Sequence, residues 1–68
     1  MDIAKYLESR GWKKYGDEDG YVGWYFGQYS ITPDGTQYDI CLDERVIFIG
    51  TLLTEEKADI IMESLGIA

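Results

Sequence analysis

An α+β domain built as helix, three-stranded antiparallel meander, helix (α-β-β-β-α) is predicted by three features of this 68-residue sequence. Apolar residues recur at helical spacing near both ends, and a glycine closes each such stretch. Between them the period switches to two, over residues rich in aromatic and β-branched side chains. Turn-forming residues then divide that middle region into strands. The length sets a single small domain, residues 1–68, with a thin core. Both helices are expected on one sheet face, because a three-stranded sheet is not stable bare.

The elements follow in chain order. Residues 2–10 predict a helix capped by Asp2, with Ile3, Tyr6, Leu7 and Arg10 on one stripe. Gly11 stands where a left-handed residue ends the helix, and Trp12 is placed to pack back on Leu7 as in a Schellman motif. Arg10 is expected to complement the helix dipole. Residues 12–15 are read as an extra edge strand and 16–20 as an acidic loop. Residues 21–31 are read as one strand, with Val22, Trp24 and Phe26 on the covered face and Tyr21, Tyr25 and Tyr29 on the other. Thr32-Pro33-Asp34-Gly35 predicts a turn with proline at its first central position.

Residues 36–42 alternate Tyr38, Ile40 and Leu42 against Gln37, Asp39 and Cys41. Asp43-Glu44 forms a tight connection into residues 45–52, whose run Val46-Ile47-Phe48-Ile49 is expected to be buried on both faces. The last helix starts at Thr54, with Glu55 and Glu56 in the first turn, where the dipole favours acids. Ala58, Ile61, Met62 and Leu65 form its core stripe, Gly66 ends it, and Ile67 can contact Met62.

That order of elements resembles the double-stranded-RNA-binding domain in topology and length. Where that family places a lysine-rich start on its last helix, this chain has Thr54-Glu55-Glu56-Lys57, mostly of the opposite charge. The resemblance therefore carries over no function and no residues.

Thirteen acidic residues oppose six basic ones, a formal net charge of −7, and histidine is absent. Missing histidine removes the commonest general base and neutral metal ligand. The negative field opposes direct binding to nucleic acid or anionic membranes and favours a basic protein surface as partner. Cys41 is the single cysteine, so no intramolecular disulfide can form, which points to a reducing, cytoplasmic setting. The start, Met1-Asp2-Ile3-Ala4-Lys5, lacks the basic region and long apolar stretch of a signal peptide. The mostly apolar stretch 46–53 is interrupted by Gly50 and Thr51 and is far short of the roughly 20 residues that span a bilayer.

Signals for chemistry are weak. Asp17-Glu18-Asp19-Gly20 resembles the start of a calcium loop, but Tyr15 stands in place of its first Asp and no closing Glu follows at the required distance. Cys41 sits mid-strand with no activating neighbour in sequence. Asp39, Asp43 and Glu44 offer carboxylate pairs, yet so small a chain has little room to enclose a sugar. The glycines at 16, 20, 23 and 27 are not spaced to cradle a phosphate. No catalytic, cofactor-binding or metal-binding residue is expected.

Three groups are candidates for partner binding. Glu55, Asp59 and Glu63 form a carboxylate row on the last helix, spaced ~6 Å apart from a rise of 1.5 Å per residue, comparable to successive phosphates. Asp17, Glu18 and Asp19 crown the acidic loop. Tyr21, Tyr25 and Tyr29, joined by Tyr38, offer an aromatic face of the kind enriched at recognition surfaces. The expected function is a stoichiometric inhibitor that engages a basic, nucleic-acid-binding surface of a partner. In size, charge and compactness the chain resembles anti-CRISPR and antirestriction proteins of phages and mobile elements. The alternative is a structural or adaptor protein, a homodimer for example, that self-associates through its sheet edge or tyrosine face.

Overall fold

The computed structural model describes residues 1–16, 20 and 22–67. Its order is helix α1 (Ile3–Ser9), strands β1 (Lys13–Gly16), β2 (Val22–Phe26), β3 (Tyr29–Asp34), β4 (Gln37–Leu42) and β5 (Arg45–Gly50), then helix α2 (Glu55–Ser64). The strands form one antiparallel sheet in the order β1-β2-β3-β4-β5, so each pairs with its neighbours in sequence. The α+β class and the helix–meander–helix order hold, and the extra edge strand is β1. The sheet has five strands, because residues 21–31 are not one strand.

That segment folds back on itself at Gly27-Gln28, with Phe26 paired to Tyr29 across the turn. Gly27 takes φ +59, the backbone a tight hairpin demands at its first central position and glycine supplies without a Cβ clash. The next hairpin also differs from expectation. Pro33 lies inside β3, paired with Tyr38, and the chain turns at Gly35-Thr36 instead of at Pro33-Asp34. The β2–β3 ladder has already ended at Trp24–Ile31, so proline occupies β3 beyond the stretch paired on both sides. The β4–β5 connection is again two residues long, closed by the pair Leu42–Arg45. Asp43 and Glu44 both adopt positive φ, +50 and +68, the pattern of a type I′ turn.

Both helices end as their sequences dictate. Asp2 accepts a hydrogen bond from the Lys5 amide and Thr54 accepts one from the Lys57 amide, each at 3.2 Å. At the C-termini, Trp12 N–H donates to Leu7 O and Gly11 N–H to Glu8 O. Ile67 N–H likewise donates to Met62 O and Gly66 N–H to Glu63 O. These are two Schellman motifs, which turn Trp12 and Ile67 back toward the core.

The helices cover one sheet face. Trp24, Ile31, Ile40 and Phe48 lie in register across β2 to β5 on that face. Tyr6 and Leu7 of α1, Ala58 and Met62 of α2, Trp12 and Leu52 complete the core around them. The run 46–49 is not buried on both faces: Val46 is 55% and Ile49 59% exposed. β5 is an edge strand, and a bulge between Ile40 and Cys41 pairs them with Phe48 and Val46, leaving Ile47 as the extra residue. Only Phe48 of that run packs against the core. Among the described residues no helix is long and apolar enough to cross a membrane.

Candidate functional site

The carboxylate row on α2 has a different character from the one its spacing implies. The register of α2 turns Asp59 toward α1, where Arg10 caps the C-terminus. Arg10 Nε donates to Asp59 Oδ1 at 2.8 Å and Nη2 to Oδ2 at 3.0 Å, a two-pronged pair. The Tyr6 hydroxyl donates to the same Oδ1 at 2.6 Å. The guanidinium also lies 4.0 Å over the Tyr6 ring and reaches Glu55 at 3.6 Å. Arg10, the C-cap residue of α1, thereby ties that helix to α2. Its hydrogen bond, followed by that of Tyr6, holds the Asp59 carboxyl below the usual range. Burial, then the bond to Asp59, pushes the Tyr6 phenol well above its ordinary value.

This cluster is an interhelix clasp, so Asp59 is a structural carboxylate. Glu55 is partly neutralised by the same cation. Glu63 is exposed, and the last turn of α2 carries no basic residue. A groove of about 350 Å³ runs beside the clasp, lined by Arg10, Asp59, Trp12, Phe26, Met62 and others. Asp17, Glu18, Asp19 and Tyr21 lie outside the described residues.

The remaining tyrosines do not share a face. The Gly27-Gln28 hairpin puts Tyr25 and Tyr29 on successive strands, and the register sends them to opposite sides. Tyr29 lies on the helix side, half-buried, with its hydroxyl 3.4 Å from the Leu65 carbonyl oxygen it donates to. Tyr38 also packs against the core. Tyr25 alone of the three stands on the uncovered face, and there it meets Tyr15 of β1, ring centroids 6.2 Å apart.

That uncovered face has a definite relief. One cross-strand row runs Lys13, Tyr25, Ser30, Cys41, Val46. The other contains Tyr15 paired with Gly23, and Thr32, Asp39 and Ile49 paired in series. Tyr15 and Tyr25 rise on one side, Val46 and Ile49 on the other, all exposed. Between them Ser30, Thr32, Asp39 and Cys41 are half-buried and short. The result is a shallow trough along β3 and β4 with a small polar floor. Gly23 is required in it: a Cβ there would stand 2.7 Å from the Tyr15 hydroxyl and 2.9 Å from the Ile31 carbonyl oxygen.

Asp39 Oδ1 is sealed from solvent and has no hydrogen-bond partner. Cys41, two residues along, faces Ser30 and Val46 across the strands, with no cation in either pair to activate a thiolate. Asp39's side of the strand was legible from its alternation with Tyr38 and Ile40. Its orphaned oxygen and the role of Tyr15 were not, since both depend on which strands become neighbours. Comparison of the chain with protein-family models, with curated proteins and with solved structures finds no match.

Proposed function

We propose that the chain is a small acidic, non-enzymatic cytoplasmic protein that binds a basic surface of a partner as a stoichiometric inhibitor. The nucleic-acid-binding groove of an enzyme is the sharpest case of such a surface. The observation that carries this reading is uncompensated charge. The formal net charge is −7, and among the described residues the ion pairs both belong to Arg10. Glu56, Glu63, Asp34, Asp43 and Glu44 are left exposed without a cation. Such a field speeds encounter with a positive patch and excludes phosphate.

The test is a binding series against purified restriction and RNA-guided nucleases, with duplex DNA as competitor. The expected result is one-to-one binding that DNA displaces, with an association rate that falls steeply as salt rises. Reversal of Glu56 and Glu63 to lysine should slow association, whereas Asp59 must be left intact because it holds the helices. Binding indifferent to salt, or none across the series, refutes the reading.

Self-association is the second reading, and the sheet edges favour it. β1 is short and carries Lys13 and Lys14, a guarded edge, whereas β5 from Val46 to Gly50 has no charge. Sedimentation equilibrium decides it: a concentration-dependent dimer lost on Ile47→Lys supports edge pairing, and a monomer at every concentration removes it.

A further inference from the structure

We propose that the uncovered sheet face is the docking surface for the basic partner, which lays a lysine or arginine side chain in the trough against Asp39. This rests on the proposed function and assigns it a place. The trough is walled by Tyr15 and Tyr25 on one side and by Val46 and Ile49 on the other. One oxygen of the half-buried Asp39 carboxylate is dry and unbonded, so this charge has neither a hydrogen bond at that oxygen nor an ion-pair partner among the described residues. The only other buried side-chain polar atom without a partner among the described residues is Trp24 Nε1, and Trp24 faces the helices.

Among the described residues, none on the sheet supplies a cation to Asp39. Lys13 is the basic residue of this face, but it belongs to β1 while Asp39 belongs to β4. Three strand spacings of about 4.8 Å put their backbones ~14 Å apart across the sheet. The walls suit a long basic side chain. Its aliphatic stem would lie along Val46 and Ile49 on β5, which places its head over Asp39 on the neighbouring strand. A second copy of the chain fits this surface less well, since two bodies of formal charge −7 repel one another.

The probe is a short peptide with a single central arginine between valines, titrated into isotope-labelled protein and followed by amide chemical shifts. Its citrulline counterpart and a polylysine peptide serve as controls. The expected result is shifts grouped on Ser30, Thr32, Asp39 and Cys41, at least tenfold weaker binding with citrulline, and the same loss in Asp39→Asn. Ile49→Lys, a change at an exposed position cross-strand from Asp39, supplies the cation internally and should block the peptide while keeping the fold. A Glu56→Gln/Glu63→Gln double variant should bind the arginine peptide within about twofold of wild type.

Shifts confined to α2 for both basic peptides would overturn the docking surface and leave the electrostatic reading standing. Silence toward both basic peptides would overturn both. Concentration-dependent shifts on this face without peptide would assign it to a second copy and overturn the proposal.

Discussion

Replacing Glu44 by glycine should stabilise the protein. Asp43 and Glu44 both hold positive φ in a two-residue hairpin, and a left-handed backbone costs an L-residue roughly 1–2 kcal/mol. Glycine at Glu44 (φ +68) removes that strain but adds freedom to the unfolded chain, worth ~0.4–1 kcal/mol in the other direction. The balance is a gain of about 0.5–1 kcal/mol, using these two ranges at their middles. In a domain of this size ~4–8 °C accompanies each kcal/mol, so the melting temperature should rise by about 2–8 °C. Thermal unfolding followed by far-ultraviolet circular dichroism measures it. Glu44→Gln removes the charge but keeps the Cβ, so it should recover little of the gain. Gly35→Ala is the mirror control: Gly35 has φ +63 and open space around it, and by the same balance its variant should lose about 0.5–1 kcal/mol. A Glu44→Gly variant less stable than wild type, beside a destabilised Gly35→Ala, would refute the backbone-strain argument.

Three further outcomes follow from the packing and the clasp. Gly23→Ala should cost about 1–3 kcal/mol, because its methyl would meet the Ile31 carbonyl, which cannot swing aside; urea denaturation checks it. Ile40→Ala, at a fully buried central-strand position, should cost about 2–5 kcal/mol by the same measurement. The Asp59 carboxyl is depressed below its ordinary value of 3.8, so its share of stability is present above that pH and lost as pH falls through the lower, folded-state value. The melting-temperature gap between wild type and Asp59→Asn should therefore narrow in that acid range, and parallel curves would contradict the link.

Helix ends were the most legible part of this sequence, because a cap is local chemistry. Asp2 and Thr54 start the helices, and Gly11 and Gly66 stop them, using contacts within a few residues. Strand boundaries were legible only where a turn signal was unambiguous. Gly27-Gln28 lay inside an unbroken aromatic run whose period-two pattern does not register a reversal of direction, so two strands read as one. The proline at 33 competed with Gly35 as the turn marker, and the pairing of β3 with β4 decided for Gly35. The apolar run 46–49 promised two buried faces, but edge position and the bulge left one. At the candidate site, helical spacing placed Glu55, Asp59 and Glu63 along α2, while the capture of Asp59 depended on Arg10, 49 residues away in sequence.

The meander has a consequence for how the molecule assembles and comes apart. Every sheet pairing joins strands adjacent in sequence, so each hairpin closes a short loop and can zip from its neighbour. The Arg10–Asp59 and Tyr6–Asp59 contacts span nearly the whole chain and have to wait until the sheet has brought α1 and α2 side by side. Interactions formed after the folding barrier act mainly on escape from the native state. The clasp should then work as a latch on lifetime: loosening it leaves the speed of folding almost untouched and lets the ends of the chain peel away sooner.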